Sequence, residues 1–387
     1  MLPGGVIEGS GPDAGVALHY GNPAREARAL ENGTGLVDLS QLEILTVTGP
    51  ERLTWLHLFT SQHVSGLQPG QSTETLILSP PGQIEYAAAV LDDGTATWLI
   101  TEAGRGEPLR AFLDSMRFAA RVETRVRDDV AVLAVLACTS TPAPLADLLG
   151  SALATWRDPW PRNSGTTYGP DDEAHPGRTW ELALHLVPRE DLAAVAEGWT
   201  ACDGVLAGTW ALEAARIEAW RPRAGREVDE RSIPHEFDWL RTAVHLDKGC
   251  YRGQETVARV VNLGKPPRRL AFLHLDGSAE ALPATGDPVL VDGREVGTVT
   301  SAARHHELGP IALALLRRSV DPAADLLVRT TVPVEDGEPH VVEVAASQTP
   351  IVSVEGRASA TPDARPGQGL RGSGARNPNP NAGFGRF

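Results

Sequence analysis

Lysine is almost missing from this 387-residue chain. Of 35 basic side chains 33 are arginine, and the two lysines, Lys248 and Lys265, stand close together around one short stretch. Lysine's compact ammonium differs from arginine's planar fork in geometry and in how readily it loses its proton, so its survival there points to a specific need. Cysteine is equally scarce. Cys138, Cys202 and Cys250 lie far apart with no CxxC pair, which speaks against a disulfide framework and against a zinc or iron–sulfur site built from this chain alone; no metal site is expected. Long apolar runs are absent as well, the stretch from Val130 to Cys138 being too short to span a bilayer. The opening MLPGGVIEGSGPDAG has no basic start followed by an apolar core, so no secretory signal is read and a cytoplasmic location is expected.

Positive charge is deficient overall. The formal net charge of −15 argues against nucleic acid or an anionic membrane as partner. Yet between Arg216 and Arg269 twelve basic side chains stand against eight acidic ones, a basic island that would suit an anionic small ligand.

Inside that island lies HLDKGCYRGQETVAR, His245 to Arg259, where reactive and hydrogen-bonding groups are most concentrated. Cys250 between Lys248 and Arg252 is either a thiol activated by two cations or a small hydrophobe on a turn. Gly249 and Gly253 supply tight bends whose exposed N–H groups would suit an anion. Gln254 and Glu255 read either as groups that pair with an amidine-like edge, such as a pterin or guanine presents, or as an ordinary helix start, with Arg259 one turn on for an ion pair.

Around it the chain reads as mixed α and β. Ile44–Gly49 is a strand, and Thr48 with Glu51 has capping-box spacing for the helix that follows. Glu74–Ser79, Ile84–Leu91 and Thr95–Glu102 are strands, the last two joined at Asp92-Asp93-Gly94. A second unit opens with Asp128–Leu136, continues through a helix near Pro144–Ala154 and a long loop rich in Pro, Gly and Asp, and ends in an amphipathic helix stopped at Pro222. Beyond Pro266-Pro267 short alternating strands form a small all-β unit, and from about Ser353 the chain has almost no core material.

KGCYRGQETVAR resembles the signature of the YgfZ family, folate-binding relatives of the glycine-cleavage T protein, an aminomethyltransferase. The run Arg216–Glu236, RIEAWRPRAGREVDERSIPHE, is similar to the family's upstream pattern, and the order of elements extends the resemblance over residues 17–347. It implies an α+β fold of three domains in a ring around a folate site: a folate-binding α+β domain 17–125, a second α+β domain 126–265 with the motif and a C-terminal β-barrel 266–348. Outside it, residues 1–16 are expected to be a flexible N-terminus and 349–387, by composition, a disordered tail. The resemblance implies tetrahydrofolate or a derivative as cofactor, and a role in assembling or repairing iron–sulfur clusters with client or assembly proteins as partners. Cys250 would be the functional thiol, with Lys248 beside it, either ligating a cluster transiently or doing redox chemistry. Tyr251, Arg252, Gln254 and Glu255 carry over as motif positions at the folate, and Glu218, Arg223 and Glu236 as residues lining or bracing its cavity. Glu181 stands near the place of a pterin-binding glutamate. One departure matters: where aminomethyltransferases have a GGxxDD-like segment, Pro80–Val90 has Glu85-Tyr86-Ala87 and no aspartate, so aminomethyl transfer would lack its proton-handling group. A folate-dependent one-carbon transferase is therefore the alternative, and a ligand-independent interaction protein the third reading.

Overall fold

Three β-assemblies organise the chain, seen in a computed structural model that describes residues 2, 4–332 and 338–362. The first is a five-stranded antiparallel sheet in the order Ser72–Leu78, Ile84–Asp92, Ala96–Thr101, Glu43–Thr48, Glu123–Val126. The second runs Ala154–Arg157, Ala183–Pro188, Val130–Val135, Gly35–Asp38, Val205–Ala207, its last pair parallel. Arg268–Leu275, Pro288–Val291, Arg294–His305, Gly309–Arg317, Leu326–Val332 and His340–Pro350 close a six-stranded barrel. The second sheet is covered on both faces, by Pro23–Glu31 and Thr209–Glu218 on one side and by Ala143–Leu148 and Leu192–Ala201 on the other. Val130–Val135 shows the consequence: Val130, Val132 and Ala134 enter a core shared by all three assemblies, while Ala131, Leu133 and Val135 meet Leu145, Val195 and Trp199 of the covering helices. The strand is apolar throughout because both of its faces are covered. Likewise Ile44 points into the shared core, and Leu45 and Val47 point toward Trp55, Leu109 and Leu113.

The structure departs from the sequence reading in several places. Glu51 caps nothing with its side chain and holds Arg121 at 3.0 Å instead, so the capping box does not form. The helix expected to reach Ala154 stops at Leu148, because Ala154 opens a strand paired to Leu186. Gly35–Asp38, from the first stretch of chain, sits in the second sheet against Ala134 and Leu133. The N-terminal residues are packed: Ile7–Glu8 pairs with Ala17–His19, and Val16 and Asp13 are buried. Part of the segment expected to be disordered is packed too. Ile351 and Val352 are fully buried, the hydroxyls of Ser359 and Thr166 are 2.8 Å apart, and Thr361 Oγ1 donates to the Val261 carbonyl. Two valines and an isoleucine in a Gly/Pro-rich context gave too weak a pattern to show this; the rest of that expectation, 363–387, lies outside the described residues. No helix among the described residues is long and apolar enough to cross a membrane.

Candidate functional site

Where the two sheets face each other, alanines at 87 and 89 on Ile84–Asp92 leave room for a chamber of about 150 Å³. Three buried indoles, Trp156, Trp180 and Trp239, wall it. An indole buried this deeply needs an acceptor for its N–H, and two of the three use a buried carboxylate. Trp239 Nε1 donates to Glu74 Oε2 at 3.0 Å and Trp180 Nε1 to Asp158 Oδ2 at 2.8 Å. Arg221, 7% exposed, bridges the acids, donating to Glu74 Oε2 at 2.7 Å and to Asp158 Oδ2 at 3.0 Å. Its Nη1 is buried with no hydrogen-bond partner among the described residues. Burial pushes the Asp158 carboxyl up against the pull of Arg221. Burial also opposes the charge of Arg221, but Asp158 and Glu74 outweigh it and hold the guanidinium above its ordinary range. The chamber opens into a groove of about 920 Å³ that shares Ala87, Thr101, Glu102 and Ala224 with it.

A second charged cluster borders the chamber on the helix Thr209–Glu218. Arg223 is met by Asp13 at 2.8 Å, Glu102 at 3.0 Å and Glu213 at 3.3 Å. Arg216 is met by Glu213, Glu227 and the Ser301 hydroxyl of the barrel. Although burial works against it, Arg216 and Arg223 hold Glu213 down at about 2. Much of the basic island is therefore neutralised internally: Arg216, Arg221, Arg223, Arg226, Arg241, Arg252 and Arg268 are each paired with an acid. Arg223 lines the chamber, but its guanidinium is already fully engaged.

The KGCYRGQE loop lies beside the groove. Lys248 turns inward, its ammonium donating to the carbonyls of His57 and Thr60 and lying 4.9 Å from the Tyr251 ring centre. Burial lowers it to about 8. Arg252 forks onto Glu85 at 2.6 and 3.1 Å, and Glu85 lines the groove. Both cations expected to flank the thiol are thus engaged elsewhere, and Cys250 is left exposed. Gly253 has φ +85° and opens the helix Gln254–Asn262, and a Cβ there would lie 2.7 Å from the Ser79 carbonyl. Gln254 and the exposed Glu255 stand on the first turn of that helix, outside the chamber lining. Tyr251 is buried, and its hydroxyl has no hydrogen-bond partner among the described residues.

Three further expected residues lie elsewhere. Glu236 is fully buried but braces the barrel, holding Arg268 at 2.8 Å and the Ile233 N–H. Glu218 faces His305 of the barrel. Glu181 accepts from the Thr139 hydroxyl, whereas its neighbours Trp180 and Leu182 line the chamber; strand-like alternation turns the glutamate to the other side. Sequence reading missed Glu74, Asp158 and Arg221. The available signal was tryptophan in polar surroundings (WRDPW, TWEL, FDWL), since each such indole, once buried, demands an acceptor.

This architecture is that of the glycine-cleavage aminomethyltransferases. The glycine cleavage system aminomethyltransferase T of Bartonella henselae superposes with a TM-score of 0.68 at 17% identity, covering 92% of this chain and 96% of that one. Residues 268–352 match the family model of the glycine cleavage T-protein C-terminal barrel domain. Similar in sequence are an aminomethyltransferase of Streptomyces coelicolor, 28% identical over 322 residues (80% of this chain, 84% of the relative), and a chloroplastic Arabidopsis thaliana protein named as a transferase, 26% identical over 313 residues (76% and 68%).

Proposed function

We propose that the chain binds tetrahydrofolate or a folate derivative, with the pterin ring in the indole-walled chamber and the remainder of the molecule in the groove, and that it supports iron–sulfur enzymes through Cys250. The observation that carries the first half is Arg221, whose Nη1 has no hydrogen-bond partner among the described residues, beside two buried carboxylates. A pterin edge offers an amino group and a ring N–H to a carboxylate and a carbonyl oxygen to a donor, so the three side chains match it in type. The chamber is small against the ~300–1,000 Å³ of pockets that take a whole drug-sized ligand, which suits a ring inside and a chain outside. When bound, a reduced folate supplies an electron-rich ring able to accept a one-carbon unit.

Against aminomethyl transfer stands the strand Ile84–Asp92. Ala87 and Ala89 line the chamber, and the nearest carboxylate along the strand, Glu85, is locked to Arg252. The transferase reading draws on the relatives named as aminomethyltransferases. For the second half of the proposal, Cys250 is exposed two residues from Arg252, whose partner Glu85 lines the groove; there it would hold a cluster together with a partner's ligands. Titration with tetrahydrofolate, followed by quenching of the chamber tryptophans with and without an amine donor, tests the reading. Binding without turnover is expected. Turnover would make the chain a transferase, and absence of binding would leave an interaction protein.

A further inference from the structure

Far from the loop, two helices and the barrel meet at a cluster the functional reading does not use. Glu31 is the last residue of the helix Pro23–Glu31, Glu218 the last of Thr209–Glu218, and His305 the last of the barrel strand Arg294–His305, with His306 next to it. Ligand atoms of Glu31, His305 and His306 lie within 4.8 Å of one another. His306 Nε2 is 3.3 Å from Glu31 Oε2, and His305 Nε2 is 3.2 Å from Glu218 Oε2.

We propose that these residues form a divalent-metal site, best suited to zinc, that ties the barrel to the two helices. Four features carry it. The ligand types, two imidazoles with carboxylates, are those zinc takes. The two paired separations exceed the ~2.7–2.9 Å of a charge-assisted hydrogen bond and equal the ~3.3 Å between ligands held at about 2.0 Å by a tetrahedral ion, so closing the remaining spread of up to 4.8 Å in the three-residue group would complete the site. The histidine side chains are 3% and 7% exposed. Both glutamates sit at helix C-termini, where the exposed carbonyl ends favour a cation. One local cost opposes loading: the N–H groups of Glu307 and Leu308 point at His305 Nδ1 at 3.2 Å, which keeps the ring proton on Nε2 toward Glu218. A metal at Nε2 displaces that proton and loosens two long turn bonds. Cysteine takes no part, so the cysteine spacing carried no trace of the site.

The test is titration of the metal-stripped full chain with Zn²⁺, followed by calorimetry and thermal melting, and with Co²⁺, followed by visible absorption. Expected are one ion bound per chain, a higher melting temperature with Zn²⁺, and cobalt bands without the thiolate charge-transfer band that cysteine ligation gives. Glu31→Gln, on a side chain 42% exposed, should keep the fold and weaken Zn²⁺ binding at least 10-fold; His306→Gln should do the same. No uptake, uptake unchanged in Glu31→Gln, or a thiolate band would each overturn the site. None of these readouts involves folate or Cys250, so failure here is separate from failure of the proposed function.

Discussion

Arg221 and Lys248 are almost equally hidden, 7% and 8% exposed, yet their surroundings differ in kind. Arg221 meets two carboxylates, with indole N–H groups bracing those acids from behind. Lys248 forms no ion pair among the described residues and meets two main-chain carbonyls and a tyrosine face. A guanidinium held by opposite charges stays charged and fixes the acids in place, which makes a preorganised polar floor for a ligand. An ammonium capped by carbonyls pins one loop onto another but gains no full countercharge, and its hold on the proton weakens. The first arrangement builds a site; the second holds one edge of it shut.

The largest effect should come from breaking the first. Arg221→Met leaves Glu74 and Asp158 buried without their cation, for which about 3–5 kcal/mol of lost stability is expected, measured by urea denaturation, along with loss of folate binding. Burial raises the Asp158 carboxyl, so acidification should let it take up a proton and shrink the loss between neutral pH and pH 5. A cost below about 1 kcal/mol that ignores pH would show that the chamber is not clamped by charge.

Next in size is the bend that sets the loop. Gly249 and Gly253 both have positive φ, +98° and +85°. A Cβ on Gly249 meets nothing within 4 Å, whereas one on Gly253 would lie 2.7 Å from the Ser79 carbonyl and 2.9 Å from Leu78 Cβ. Gly253→Ala should therefore cost about 2–3 kcal/mol and Gly249→Ala about 1 kcal/mol. Equal melting temperatures for the two variants would mean the Ser79 contact relaxes freely.

These two regions were unequally legible in the sequence. The loop is contiguous, so its residues and glycine bends could be read directly, while Cys250 stood open between a reactive thiol and a small buried group; what could not be read was direction. Lys248 and Arg252 stand next to Cys250 in sequence, but the bends at Gly249 and Gly253 send one inward to His57 and the other across to Glu85. The acids, arginine and indoles of the chamber, Glu74, Asp158, Trp180, Arg221 and Trp239, come from separate stretches of the chain, and no local pattern joins them. The strands themselves were plain, because alternation and hairpin residues are local. Glu181 was misplaced for the same reason as the loop cations: a shift of one residue along an extended segment reverses the face.

A third variant sharpens the contrast through pH. The folded value of Lys248 is lowered to about 8 from 10.5 by burial. Between those values the unfolded chain binds more protons than the folded one, so this group makes stability rise as pH increases through the window. Lys248→Met should abolish that rise while costing about 1–3 kcal/mol at pH 7 for the two carbonyls it leaves without a donor. A wild type whose stability is flat from pH 8 to 10 would show that the ammonium finds water or another partner.

The smallest effect on the fold is expected at Cys250, and it is the one that separates architecture from activity. Its side chain is exposed, so Cys250→Ser should change stability by no more than about 0.5 kcal/mol and leave tetrahydrofolate binding intact. Thiol chemistry offers an internal control. Cys138 is partly buried, with Arg157 Nη1 3.1 Å from its sulfur, and burial pushes its thiol up. Exposed Cys250 should therefore be labelled well before Cys138. Cys202 is also exposed, so reactivity alone does not single out Cys250. In cells lacking the protein, Cys202→Ser should restore iron–sulfur enzyme activity and Cys250→Ser should not. Rescue by both would reduce the thiol to a surface residue and leave the chamber as the functional centre; failure of Cys250→Ser alone, with folate still bound, would place the iron–sulfur role in the loop and the ligand role in the chamber.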